Sequence, residues 1–388
     1  MRTLSAFTDR TAFAARIALM STSTVLTVLP NPGCASAPPP PPVQTTVREP
    51  RPQALVPLRI VAHTAGDGRL TLQAYDAQEL YGRGTALFQA MQCEEAVLVY
   101  DQLVNDFPGS RWVEPALFDS GACLQERGQW AAAAERFRRL RRVRPDGARV
   151  REATFRLAKV LLELERYEEA LAVADGLLAL NVLPFSERAE ALSQRCRALL
   201  GLGHLQDAQL AAQAALGYVR NRPADRPRSV DSFAAASAYV LAEAYRRTGE
   251  ATVVVATGAQ AADPRQALLN RARYLLAAQR AYSDAIGFDS GPEAQWRVAA
   301  GQRLGPMYDA LWAALRTVAT RTGRPPAGPG RAVVQRELAV LLEPTVRHGL
   351  RYWELALGLV EQGGSRPRWV VASKAELSRV RRRWPVGH

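Results

Sequence analysis

The sequence is poor in the side chains that metal proteins and many enzymes depend on. Of its 388 residues only four are histidine and four cysteine, and lysine occurs twice, at Lys159 and Lys374. His63, His204, His348 and His388 stand apart, none with a second ligand at helical spacing, which argues against a metal centre. Neither lysine closes a Gly-rich loop ahead of a Ser or Thr, so a phosphate-cradling loop is excluded. Asp119-Ser120-Gly121 falls inside a helical pattern, not at a strand-to-helix elbow, so a nucleophilic serine is not expected. Acidic pairs such as Glu94/Glu95 and Glu168/Glu169 recur as landmarks of a repeat and do not read as an acid/base pair. No cofactor site is expected, and the chain reads as non-enzymatic. Aromatics are at 7%, with Ala and Leu dominant, which points to an all-α class. The net charge of +13 is almost wholly arginine. So lopsided an excess tracks codon usage as well as binding, which weakens any step from charge to nucleic acid.

Long apolar runs are also missing. Ile17–Leu29 follows Arg2, Arg10 and Arg16 but is too short, and too interrupted by Ser and Thr, to span a bilayer. It ends at Pro32-Gly33-Cys34-Ala35-Ser36, ahead of the proline run 38–42. This resembles a bacterial lipoprotein signal, in which Cys34 is the lipidated new N-terminus. Asn31 departs from the aliphatic residue such signals usually carry. Cleavage after Ala35-Ser36-Ala37 is the rival reading, disfavoured by Pro38. The expected organisation is a leader over 1–33, a Pro-rich linker over 34–53 and a β-hairpin over 54–76 around Gly66-Asp67-Gly68. Cys93, Cys123 and Cys196 remain within helical patterns. Cys196 reads as a buried small hydrophobe, and a Cys93–Cys123 bridge between neighbouring units stays open.

From residue 77 a repeat takes over. Gly84, Gly121, Ala158 and Cys196 follow one another at intervals of 37, 37 and 38 residues, and Ala96, Ala133, Ala170 and Ala208 keep the same steps. A small residue at a fixed place in each unit lets two helices approach closely, and a larger side chain there would overpack the crossing. Glu94-Glu95-Ala96 and Glu168-Glu169-Ala170 open a second helix, Tyr100 and Phe137 sit four residues beyond the alanine, and Pro108 and Pro145 close units. Gly128, Gly203 and Gly249 fall at or near inter-helix turns. These landmarks resemble the tetratricopeptide repeat, although the period exceeds that family's usual 34. The resemblance implies an all-α helical-hairpin solenoid: four repeats over 77–220, a degenerate helical region over 221–364 and a basic tail with a short helix over 365–388. Helices are expected at about Pro264–Gly287, Gly291–Thr322, Ala332–Leu342 and Thr345–Gln362, broken at Pro325–Gly330 and Pro344. Ser373-Lys374-Ala375-Glu376 has the form of a capping-box start for the last helix.

Two surfaces carry the functional expectation. Tyr81, Phe118, Phe155 and Tyr239 each precede a small-residue slot by three, a place that in this repeat family points into the concave groove. With Phe88, Gln125 and Lys159 they form the expected partner-binding groove; the competing reading is that the rings cement adjacent helices. Arg136, Arg138, Arg139 and Arg142 form a basic surface on the convex side, read as a solvated face or a contact for anionic lipid or an acidic partner. The resemblance extends to envelope lipoproteins built of these repeats. It implies a protein–protein scaffold of a bacterial cell-envelope complex, held to the outer membrane through Cys34 and facing the periplasm. A free periplasmic form is the less favoured location. Protein partners and a lipid-mediated membrane contact are expected, and nucleic acid is not. The alternative is a peptidoglycan-associated or hydrolytic protein acting through Glu243 or Asp284, and a third option is a small-molecule pocket beside the hairpin.

Overall fold

The computed structural model describes residues 57–64, 70–221, 229–251, 264–288, 295–321, 330–362 and 368–384. The leader, Cys34, the Pro-rich linker, the Gly66-Asp67-Gly68 turn and the β-branched stretch 252–263 lie outside them. The expected hairpin is present. Strand β1 (Leu58–Thr64) pairs antiparallel with β2 (Leu70–Asp76), Leu58 opposite Asp76 and Thr64 opposite Leu70. Alternation puts Val61 and Tyr75 on the face that packs on the helices. Tyr75 is buried edge-on to Phe107 and donates its hydroxyl to Asp106 Oδ2 at 2.8 Å. Leu58, Ile60, Leu70 and Leu72 line the other face and are exposed.

Asp76 then caps α1, its Oδ1 accepting the Glu79 N–H at 2.8 Å. Four helical hairpins follow: α1 (Ala77–Gln89) with α2 (Cys93–Asp106), α3 (Val113–Glu126) with α4 (Trp130–Val143), α5 (Val150–Glu163) with α6 (Tyr167–Leu178), and α7 (Phe185–Gly201) with α8 (Leu205–Arg220). Each hairpin turns through one left-handed residue: Met91 (φ 61°), Gly128 (70°), Glu165 (57°) and Gly203 (76°). The turns keep the repeat spacing, although only two use the residue that adopts this region freely.

The small-residue slots work differently from the expectation. What lies opposite is a ring rather than a backbone. A Cβ added at Gly84 would stand 2.5 Å from Tyr100 Cε1, and one at Gly121 would stand 2.7 Å from Phe137 Cε1. Unit three holds Ala158 and Ala174 at the equivalent places, and unit four Cys196 and Ala212, all fully buried. Space is conserved across each hairpin: glycine faces a ring, and alanine or a thiol faces alanine. The alanines opening the second helices, Ala96, Ala133, Ala170 and Ala208, are buried as the pattern requires.

Four longer helices, α9 (Ser229–Ala251), α10 (Pro264–Phe288), α11 (Gln295–Arg321) and α12 (Gly330–Gln362), and the shorter α13 (Arg368–Arg383) complete the described chain. They share one core that begins at Ala189 on α7 and closes on Trp384, with Trp353, Tyr282 and Tyr308 wholly buried. Two expectations fail here. Pro344 does not break a helix; α12 runs through it, because flanking Leu342 and Val346 are buried and hold the segment helical despite the lost N–H. Ser373 is not an N-cap but a mid-helix residue of α13. Its buried hydroxyl accepts the Trp353 indole N–H at 3.0 Å and donates to the Gly301 carbonyl at 3.3 Å. Gly249 lies two residues before the end of α9 and is a close approach there, where a Cβ would come 2.8 Å from that of Tyr274.

Candidate functional site

Successive first helices of the hairpins touch, α1 with α3 and α5 with α7. Their packing follows a rule in which each ring-bearing residue is met, at its ring or its backbone, by the polar residue that follows the ring slot in the next unit. The Tyr81 hydroxyl donates to Asp119 Oδ2 at 2.8 Å. The Arg156 guanidinium lies 5.1 Å from the centre of the Phe118 ring, and Arg149 covers the same ring at 4.8 Å. Gln194 Nε2 donates to the Phe155 carbonyl at 3.2 Å. Burial pushes the Asp119 carboxyl above the usual carboxylate range, against the pull of the Tyr81 hydroxyl and of Arg149.

Three of the seven expected groove residues come together. Gln125 on α3 and Phe155 and Lys159 on α5 line one cleft of about 500 Å³, closed on the far side by Glu187 and Glu190 of α7. Phe118 adjoins it beneath Arg156 and is buried against Phe137. Tyr81 lies further along, stacked on Trp112 at 4.8 Å, and Phe88 packs half-buried on the first core. Tyr239 belongs to another neighbourhood, between Tyr282 and Trp296, and its hydroxyl meets Arg303 Nε at 3.4 Å. With Phe118 and Phe155 each only 5% exposed, their rings act as cement whatever the cleft receives. Phe118→Ala and Phe155→Ala are each expected to cost about 3–5 kcal/mol, read as a lowered urea midpoint; an unchanged midpoint would mean the rings are not cement.

The cleft is polar and its charges are mostly matched. Arg151 pairs with Glu187 at 2.9 Å and Arg156 with Glu152 at 3.4 Å. Lys159 is exposed and makes no contact ion pair among the described residues. Burial pushes the Glu190 carboxyl up to about 7, with Lys159 opposing and Glu187 reinforcing the shift.

The arginines of α4 are largely committed. Arg136 pairs with Asp101 of α2 at 2.6 Å, Arg138 with Glu169 of α6 at 2.9 Å, and Arg142 with Glu135 at 2.8 Å. The first two tie α4 to both neighbouring second helices. The carboxylates invoked for hydrolysis are committed too: Asp284 to Arg220 at 3.1 Å, and Glu243 to Arg246, Arg303 and Tyr282. Cys93 and Cys123 are free thiols in hydrogen-bond contact, walling an apolar pocket of about 220 Å³ with Val97, Leu98 and Leu124. Among the described residues no group of three or more potential metal ligands occurs, and no helix is long and apolar enough to cross a membrane.

Glu190 and Gln194 were not legible as site residues. The signal that could have found Gln194 is the polar residue after each ring slot, at Asp119, Arg156 and Gln194.

A tetratricopeptide repeat family model matches residues 80–110 and 115–147. Among solved structures the chain is similar to a MamA RS-1 ArsTM double mutant, at 18% identity over 53% of this chain and 94% of that one, with a TM-score of 0.36. It is similar to a Podosopora anserina protein of kinesin light chain type with nearly identical TPR-like repeats, at 16% identity over 52% and 96%, with a TM-score of 0.36. It is also similar to a tetratricopeptide repeat protein from Parabacteroides merdae, at 12% identity over 78% and 98%, with a TM-score of 0.37. No curated protein matches the sequence. At these TM-scores the overlaps carry no functional weight.

Proposed function

We propose that this tetratricopeptide-repeat protein is a non-enzymatic scaffold that grips a protein partner along the first helices of its repeats. The observation that carries the reading is the cleft shared by α3, α5 and α7. Three consecutive units contribute to it, and it offers polar groups and one apolar floor with no catalytic constellation among its residues. Stacked repeats make such extended surfaces without reactive chemistry. The leader pattern, Cys34 and the proline-rich linker support a place on the periplasmic side of a bacterial outer membrane, tethered by lipid, as part of an envelope complex.

A photo-reactive residue at Lys159, in the full chain in intact cells, tests the grip; the same residue at Arg139 on the convex side is the control. A discrete protein adduct from Lys159 and none from Arg139 is the expected result. Equal labelling from both sites, or none, would overturn the groove. In the same cells Cys34→Ala is expected to move the protein from the membrane to the soluble periplasmic fraction; unchanged membrane retention would sink the lipid anchor.

A further inference from the structure

The cleft has acceptors to spare. Gln125 Oε1 is buried and receives no hydrogen bond. Gln194, behind the lining residues, donates its amide nitrogen to Glu190 Oε1 at 3.1 Å and to the Phe155 carbonyl, and so holds Glu190 in place. A buried amide oxygen without a donor is costly and marks a place where a donor belongs. Beside Gln125 stands Glu190, the one cleft carboxylate with no contact ion pair among the described residues. Arg151 and Arg156 are already matched to Glu187 and Glu152. A ligand that brings several N–H donors and one positive charge would satisfy both groups; an acidic ligand would satisfy neither.

We propose that this cleft seats a basic side chain, the ammonium or guanidinium of a partner's peptide segment, with Glu190 as its counter-ion and the amide oxygen of Gln125 as a further acceptor. The aliphatic stem of such a side chain lies on Phe155, an apolar body under a charged head. The inference rests on the scaffold reading above and gives the partner a chemistry. It also carries a pH dependence. The charged groups acting on Glu190 are Lys159, Arg156 and Glu152 from α5 and Glu187 from its own helix. In the empty cleft burial, with Glu187 and Glu152 adding to it and Lys159 and Arg156 opposing, pushes the carboxyl up to about 7. A bound cation favours the ionised form, so binding strengthens as the pH rises through that value and weakens as it falls.

The test uses the full chain and pools of short N-acetylated, C-amidated peptides that differ in one fixed central residue: Arg, Lys, citrulline, Glu or Leu. The Arg and Lys pools are expected to be retained about tenfold better than the citrulline and Leu pools above pH 7, with the preference shrinking below it. Glu190→Gln is expected to remove both the preference and its pH dependence while leaving the melting temperature undiminished, because burial already favours the neutral form. Best retention of the Glu pool, equal retention of the Arg and citrulline pools, no retention of any pool, or a preference that survives Glu190→Gln would each overturn the inference. A partner captured through position 159 whose contacting segment carries no basic residue would also overturn it, and would leave the scaffold reading standing.

Discussion

Replacing Phe137 by Ala is expected to lower stability by about 3–5 kcal/mol, and adding Gly121→Ala to that variant is expected to restore part of the loss. Phe137 is fully buried and fills the space that Gly121 leaves open. Truncating the ring opens a cavity that neighbouring helices cannot close without moving. Gly121→Ala alone drives a Cβ to 2.7 Å from the same ring, a contact that costs about 1–3 kcal/mol in displaced packing. The double variant reproduces the alanine pair that unit three carries natively at Ala158 and Ala174. Its cost should therefore fall short of the sum of the single costs, with an interaction energy of about 0.5–3 kcal/mol. Urea midpoints of the four proteins measure the cycle. Strict additivity would show that glycine and ring do not share one space.

The second large effect lies in the later helices. Glu243 is 2% exposed and receives Arg246 at 2.8 Å, with Arg303 at 3.4 Å, Arg247 at 3.6 Å and the Tyr282 hydroxyl in close contact. Burial opposes its ionisation, but the hydrogen bond from Arg246 prevails and holds the carboxyl below its ordinary value. Removing it as Glu243→Ala leaves Arg246 and Tyr282 inside without their acceptor, and is expected to cost about 3–5 kcal/mol. A carboxyl with a depressed folded pKa contributes stability above its unfolded value of 4.5. That contribution is lost as the pH falls through the folded value. The gap between wild type and Glu243→Ala should therefore be full at neutral pH and narrow in acid. Hydrogen exchange in α9 and α10 localises the loss; unaltered protection there would exclude the network as a structural support.

What the sequence reveals depends on how local the cause is. The hairpins of 77–220 are legible because burial of Ala96, Ala133, Ala170 and Ala208 must recur with the repeat. The hairpin of β1 and β2 is legible because alternation and a glycine-rich turn are local signals. Pro344 and Ser373 mislead for the opposite reason: each local signal is overruled by contacts made far along the chain. Leu342 and Val346 anchor α12 in a core built from six other helices, and the Ser373 hydroxyl is claimed by Trp353 and by Gly301, 72 residues away. The cleft was half legible. Gln125, Phe155 and Lys159 occupy repeat positions, whereas Glu190 lies in the unit where the spacing slips from 37 to 38 and Ser193 stands where a ring was expected.

The bond between each ring-bearing residue and the polar residue of the unit after it runs one way along the chain. The Tyr81 hydroxyl is held by Asp119, the Phe118 ring by Arg156 and the Phe155 backbone carbonyl by Gln194, always from the carboxyl side. Pulled from its amino end, the array would shed a hairpin without uncovering the ring of the next. Pulled from the other end, each departing hairpin strips the clasp from its predecessor, so resistance to mechanical peeling should differ between the two directions.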